Sequence, residues 1–232
     1  GTIQPIAEIA ALAKARGIRV HTDAAQSPGK IPVDVNALGV DLLSLAGHKL
    51  YAPKGVGALF ICRGVPLETF MHGAGQELGR RAGTENILEI VGLGKACEIA
   101  GRDLERHRRH MQEMRDRLHA AVSAGGADVR LNGHPAKRLP NTLSLSFRDL
   151  EANRLLEAIG LEVAASAGAA CHADSIEISH VLRAMGVPVE WAKGTLRLTT
   201  GRMTTAAEID RAAAVIVEAV LAIRDSRKKN AG

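Results

Sequence analysis

Three short runs in this 232-residue chain carry reactive side chains. They are His21-Thr22-Asp23-Ala24-Ala25-Gln26, Gly47-His48-Lys49 and Ala169-Ala170-Cys171-His172. An acid, an amine and a thiol each follow a short apolar run, where a strand should finish. Open α/β sheets assemble their chemistry at the carboxyl ends of strands. An Asp can keep a pyridine ring nitrogen protonated, a desolvated Lys can form a Schiff base, and a thiolate can attack sulfur. The set points to a pyridoxal-phosphate enzyme that handles a sulfur-containing amino acid.

Each residue also has a plainer reading. Asp23 suits a turn or helix cap, and a Lys at a strand end usually extends to solvent, as Lys49 would. His48 could reach a phosphate or tune the neighbouring amine, and Gln26 could donate to a ring oxygen. Thr84, after Gly83, fits an N-cap, and equally a phosphate ligand at a helix start, with Arg80 and Arg81 adding positive charge nearby. Cys171 lies among Ala and Gly with His172 beside it, a setting that favours a reactive thiolate over a core thiol. Cys62 and Cys97 read as packing residues. Arg197, between Leu196 and Leu198, suits a bidentate grip on a carboxylate. There is no phosphate-binding Gly-x-x-x-x-Gly-Lys motif, no Cys-x-x-Cys and no His-Glu-x-x-His, so neither a P-loop nor a zinc site is expected and no metal ligand is assigned.

The elements that must position these residues follow from periodicity. Ile6, Ile9, Leu12 and Ala13 predict one stripe of a helix over 6–16, which Gly17 stops. A strand is expected over 18–21, with Asp23 and Gln26 just beyond it. A short helix over 34–38 and a nearly all-apolar strand over 41–45 come next, the latter suited to a sheet covered on both faces. A strand over 57–62 precedes a Gly-rich loop over 72–83. Helix resumes near Glu85 and runs, with a break near Gly101, to about Val122. Further strands are expected over 128–131, 142–147, 161–165 and 195–199, and helices over 150–159 and 179–185. In the strand at 142–147, Leu143, Leu145 and Phe147 alternate with Thr142, Ser144 and Ser146, the pattern of a half-buried strand. Thr205 and Glu208 form a capping box that opens a last helix to about Arg224, followed by a frayed tail. The boundary between two domains is placed near residue 104, giving 1–104 and 105–232.

Composition narrows the function classes. The chain is 46% hydrophobic and 24% charged, with aromatics at only 2%, so its core must rest on aliphatic residues. No apolar run approaches the roughly 20 residues of a membrane span. The net charge of +5 attracts anions, yet the basic residues are dispersed and no nucleic-acid motif accompanies them. Three widely spaced Cys make no disulfide framework and fit a reducing cytoplasm.

Taken in order, four longer motifs resemble the cysteine desulfurases of the class V aminotransferase group. They are His21 to Gln26, Gly47-His48-Lys49-Leu50-Tyr51-Ala52-Pro53-Lys54-Gly55, Arg80-Arg81-Ala82-Gly83-Thr84-Glu85-Asn86, and Leu196-Arg197-Leu198-Thr199-Thr200-Gly201-Arg202. The resemblance implies an α/β fold of the pyridoxal-phosphate-dependent transferase (aspartate aminotransferase-like) type, with 1–104 the remainder of a large cofactor domain and 105–232 a small one. It implies that Lys49 carries pyridoxal 5'-phosphate, Asp23 pairs the ring nitrogen, Gln26 meets the ring oxygen and His48 lies at the cofactor. Thr84 would contact the phosphate of the other subunit's cofactor, which implies a homodimer. Arg197 would hold the substrate carboxylate of L-cysteine. Cys171 would accept the sulfur as a persulfide, pass it to an acceptor or iron–sulfur scaffold protein, and transiently ligate an iron–sulfur cluster.

Departures from the family pattern set the alternatives. Ala46 stands where many desulfurases carry a hydroxyl that binds the phosphate. Ala169-Ala170-Cys171-His172 and the apolar residue before Gly47 also resemble selenocysteine lyase. The family's amino-terminal section, which supplies a His that stacks on the cofactor, does not lie within the 232 residues. The chain by itself is therefore expected to be inactive, and a non-catalytic scaffold domain is the alternative of another class.

Overall fold

In a computed structural model the backbone of residues 1–172 and 175–230 is described, with the side chains of 169–172, 175–177 and 228–230 left out. The chain separates into two compact units, Gln4–His107 and Arg108–Gly232, the second including Gly1–Ile3.

The first unit begins with α1 (Ile6–Lys14) and β1 (His21–Asp23). After α2 (Val35–Leu38) come β2 (Leu42–Ala46), a 3₁₀ turn over Gly47–Leu50, and β3 (Gly57–Ile61). Next is α3 (Gln76–Gly79), a single turn in which Glu77 and Leu78 adopt the left-handed conformation. It is followed by α4 (Ile87–Arg102). The sheet order is β1-β2-β3, with β1 and β2 parallel and β3 antiparallel. Ala10, Ala24, Val40 and Leu43 form one small core, and Leu50, Leu93 and Ala96, joined by Leu45, form another. Leu43 and Leu45 thus turn one face of β2 to the helices, leaving Leu42, Ser44 and Ala46 on the other.

Several expectations shift here. The strand expected at 18–21 forms at 21–23, so Asp23 lies in it; Asp41 Oδ2 accepts the Val20 N–H at 2.8 Å, so a side chain holds the backbone just ahead of the ladder. The buried residue of α1 is Ala10, while Ile9 and Leu12 are exposed. Cys62 and Cys97, expected to pack, are both exposed: Cys62 falls just past the end of β3, and α4 buries Leu93 and Ala96 instead of Cys97. The helix break expected near Gly101 falls at Asp103, the C-cap of α4.

α5 (Leu104–Ala124) crosses the division. The second unit continues with β4 (Val129–Leu131), β5 (Thr142–Phe147), α6 (Ala152–Ile159) and β6 (Ser166–Ala167). A hairpin of β7 (Ala169–His172) and β8 (Ser175–Ile178) follows, then α7 (His180–Ala184), α8 (Val189–Ala192), β9 (Thr195–Thr199) and α9 (Ala206–Asn230). The four-stranded sheet has the order β4-β5-β9-β6 and is antiparallel throughout. Leu143, Leu145, Phe147, Leu196 and Leu198 pack against Leu118 and Val122 of α5, Leu155 and Ile159 of α6, and Ile216 and Val220 of α9. Burying each such side chain contributes about 1.5–3 kcal/mol.

The alternation in β5 predicts one wet face, yet Thr142 and Ser146 are buried as well. Ser146 Oγ shares a 2.6 Å hydrogen bond with Thr195 Oγ1 and accepts one from Asn132 Nδ2 at 2.7 Å, so the hydroxyl is paired rather than hydrated. No strand forms over 161–165. Instead the Glu162 and Val163 N–H groups donate back to the Ile159 carbonyl at 3.0 and 3.1 Å, and Leu161 stays fully exposed. The loop expected around Cys171 is the β7–β8 hairpin, whose small side chains give little strand signal. The tail is helical to Asn230.

Candidate active site

In the first unit the parallel register of β1 and β2 sets Asp23 opposite Ser44. His21 Nε2 and Ser44 Oγ share a 2.7 Å hydrogen bond, tying the two strands together on that face. Asp23 is exposed, and its Oδ1 accepts the Ala25 N–H at 2.9 Å, an Asx turn that orients the carboxylate. Its Oδ2 has no partner among the described residues and is available to an N–H of a ligand. Gln26 follows in the same turn, exposed.

β2 delivers the chain directly into the 3₁₀ turn that carries His48, exposed, and Lys49, half-buried. This turn is closed by Gly47 N–H donating to the Val56 carbonyl at 2.8 Å. A Cβ on Gly47 would stand 2.7 Å from that same carbonyl oxygen, and one on Gly57 would stand 2.6 Å from the Leu45 carbonyl oxygen, so both positions require Gly. Tyr51 ends the turn in the left-handed region, at φ 65°. Ala46, the last residue of β2, brings no hydroxyl.

One residue that the sequence reading missed stands behind this turn. Lys30 is only 8% exposed, and its ammonium donates to the Lys49 carbonyl oxygen at 3.0 Å. Its pKa is pushed down to about 8, first by burial and then by the charge of Lys49. No signal at Gly29-Lys30-Ile31 marks it, because a Lys after a turn is ordinarily solvated.

Thr84 is exposed in the segment before α4. It is not the helix cap: Asn86 is, its side chain accepting the Glu89 N–H at 3.4 Å. The loop ahead is held by the Ala82 N–H donating to the Met71 carbonyl at 3.0 Å and the Gly83 N–H donating to Gln76 Oε1 at 3.2 Å.

The second unit carries Arg197 and Cys171. On β9 the core takes Leu196 and Leu198, so alternation turns Arg197 to the opposite, exposed face. Arg197 faces Ser144 and Ser166 in register, and its Nη2 donates to Ser166 Oγ at 3.4 Å. The Gly168 N–H donates to the Thr195 carbonyl at 2.7 Å, anchoring to β9 the strand that leads to Cys171. The Cys171 backbone pairs with Ile176 in the hairpin; its side chain and that of His172 lie outside the described residues. Among the described residues no group of His, Cys, Asp and Glu is arranged to hold a metal ion, and no helix is long and apolar enough to cross a membrane.

A family model for the class-V aminotransferases matches residues 1–212. The chain is 46% identical over 226 residues to "Cysteine desulfurase IscS" of Methanosarcina thermophila, covering 97% of this chain and 56% of that protein. It is 45% identical over 212 residues to "Cysteine desulfurase NifS" of Azotobacter vinelandii, covering 91% and 53%. Among solved structures it superimposes on a "NIFS-LIKE PROTEIN" with a TM-score of 0.86 at 35% identity, covering 96% of this chain and 58% of that one. It superimposes on DndA from Streptomyces lividans with a TM-score of 0.68 at 36% identity, covering 86% and 57%.

The chain belongs to the class-V aminotransferase family. Its fold is the mixed α/β fold of pyridoxal-phosphate-dependent transferases, as expected from the motifs. It spans about half the length of the curated relatives it matches, 56% and 53% of the two named.

Proposed function

We propose that the complete protein is a pyridoxal-phosphate-dependent cysteine desulfurase that converts L-cysteine to L-alanine and loads the sulfur onto Cys171. The observation that carries this reading is the delivery of Asp23 and Lys49 from the adjoining ends of β1 and β2. The donor set fits the cofactor. Asp23 offers an oriented carboxylate with one oxygen unpartnered among the described residues, Gln26 is an exposed residue with an amide, and Lys49 a half-buried residue with an amine.

When bound, pyridoxal phosphate supplies an electron sink that weakens the bonds at the α-carbon of an amino acid. Asp23 would accept the ring N–H and keep that sink charged. Gln26 would donate to the ring oxygen, and His48 would stand at the cofactor. Lys49 would hold the cofactor through its amine, and that same amine is the group placed to move the α-proton of the substrate. Thr84 donates to the phosphate of a partner subunit's cofactor in a homodimer. Arg197 reads the substrate carboxylate with its guanidinium fork. The Cys171 thiolate attacks the substrate sulfur: a sulfur–sulfur bond forms, the Cβ–sulfur bond breaks, and its electron pair takes up a proton at Cβ as alanine leaves.

The persulfide then passes to an acceptor for iron–sulfur cluster or sulfur-cofactor assembly in the cytoplasm. The names of the relatives, cysteine desulfurases, support reading the substrate as cysteine rather than selenocysteine, and comparing turnover of the two amino acids checks that choice. The 232 residues alone are inactive in this reading. The decisive test is borohydride reduction of the complete, cofactor-loaded protein followed by mass spectrometry. The label is expected on Lys49, and a label elsewhere or none overturns the proposal.

A further inference from the structure

Lysine is among the side chains least often buried, because its ammonium loses hydration that few protein groups replace. Lys30 is nonetheless 8% exposed, and among the described residues no carboxylate lies within ion-pair distance of it. Among the described residues, the one hydrogen bond of its ammonium goes to the Lys49 carbonyl, at 3.0 Å. The 24–31 turn that carries it packs on the 3₁₀ turn: a Cβ on Gly29, which has φ +74°, would stand 3.0 Å from Leu50 Cδ2 and 3.3 Å from Ala100 Cβ. Charged and titratable groups near that turn include Lys30 from the 24–31 segment, His48 and Lys49 on the turn itself, Tyr51 at its end, Lys54 just after it, and Glu89 of α4, whose carboxylate stands 3.0 Å from the Cβ position of Gly55. An unpaired buried cation is a costly way to fill space, and a Met of similar length would fill it at less cost. What Lys30 adds over Met is a charged donor aimed at one backbone oxygen, the carbonyl of Lys49.

We propose that Lys30 is a positioning residue for Lys49: its ammonium clamps the Lys49 carbonyl and fixes the turn from which the reactive amine extends. The same 24–31 segment begins beside Asp23, so the clamp also ties the residue that would hold the ring nitrogen to the residue that would hold the ring covalently. The inference rests on the cofactor reading above.

The test uses the complete protein with Lys30→Met and Lys30→Arg, and reads three quantities. These are the dissociation constant for pyridoxal phosphate, the circular dichroism of the visible cofactor band per bound cofactor, and the thermal midpoint of the cofactor-free form. A clamp worth a charge-assisted hydrogen bond predicts that Lys30→Met weakens cofactor binding about tenfold or more. The dichroism should fall while the cofactor-free midpoint holds or rises, and Lys30→Arg, which keeps a donor, should recover the band. A side chain that served only the packing would move affinity and midpoint together and leave the dichroism per bound cofactor unchanged. Wild-type affinity and dichroism in Lys30→Met overturn the inference. Should Lys30→Met not fold, Lys30→Gln, shorter and neutral, is read against the same outcomes. Borohydride labelling of the wild type separates the two failures: a label absent from Lys49 sinks the cofactor reading, whereas a label on Lys49 with an unaltered Lys30→Met sinks only the clamp.

Discussion

Asp23 and Ser44 stand opposite each other in the parallel ladder of β1 and β2, and β2 then runs straight into the turn that carries Lys49. Acid and amine are therefore placed by one register. In the complete protein, Lys49→Ala should abolish both the visible cofactor band and the borohydride label. Asp23→Ala should keep the label on Lys49 but weaken cofactor binding at least tenfold, since a charge-assisted hydrogen bond is lost. Absorbance titration with pyridoxal phosphate measures both; wild-type affinity in Asp23→Ala would remove that residue from the site.

Gly47→Ala tests how tightly the lysine turn is held. The new Cβ would meet the Val56 carbonyl oxygen at 2.7 Å and Val56 Cγ1 at 2.9 Å, so backbone must move. A loss of about 1–3 kcal/mol is expected, read as a lower urea midpoint. A neutral substitution would show that the turn is looser than its hydrogen bonds imply.

The depressed pKa of Lys30 has a direct consequence for stability. Folded, the group titrates at about 8; unfolded, it returns to 10.5. Between those values the unfolded chain binds more protons, so stability rises with pH through that window, and below it the folded state carries the whole cost of the buried charge. Lys30→Met should therefore stabilise the first unit at neutral pH by up to about 3 kcal/mol and flatten the rise. Urea denaturation at neutral pH and above the window checks it; an unchanged slope would mean another group titrates there.

At the start of α9, Glu208 Oε2 accepts the Thr205 N–H at 2.7 Å and Thr205 Oγ1 accepts the Glu208 N–H at 3.3 Å. Thr205→Ala should cost about 1 kcal/mol in the second unit, seen as a lower thermal midpoint. Glu208→Gln, which keeps an acceptor, should recover part of it.

For sulfur transfer, Cys171→Ala in the complete protein should keep the visible band and lose the protein-bound persulfide. Cys62→Ala and Cys97→Ala, both at exposed positions, should keep it. Mass spectrometry after one turnover distinguishes the three. Sulfide release that survives in Cys171→Ala would count against the thiol's role.

Local rules carried a good part of the fold. β9 forms over the expected residues because Leu196 and Leu198 alternate with Thr195, Arg197 and Thr199, and the same alternation fixes which way Arg197 points. α9 begins where its capping box stands. The motifs around Asp23, Lys49 and Thr84 were likewise readable, since each is a distinctive run of residue types.

What escaped is what depends on a distant partner. Burial of Ser146 is decided by Thr195 and Asn132 across the sheet. The exposure of Leu161 follows from the carbonyl of Ile159 capturing two N–H groups that a strand would have used. Lys30 looks like any solvated lysine until the chain folds its turn onto Lys49. The sequence by itself determined which chemistry is available, because side-chain type and strand-end placement are local properties. Only the tertiary structure decided which charge is buried and which backbone oxygen it holds, because desolvation is set by neighbours brought in from elsewhere in the chain.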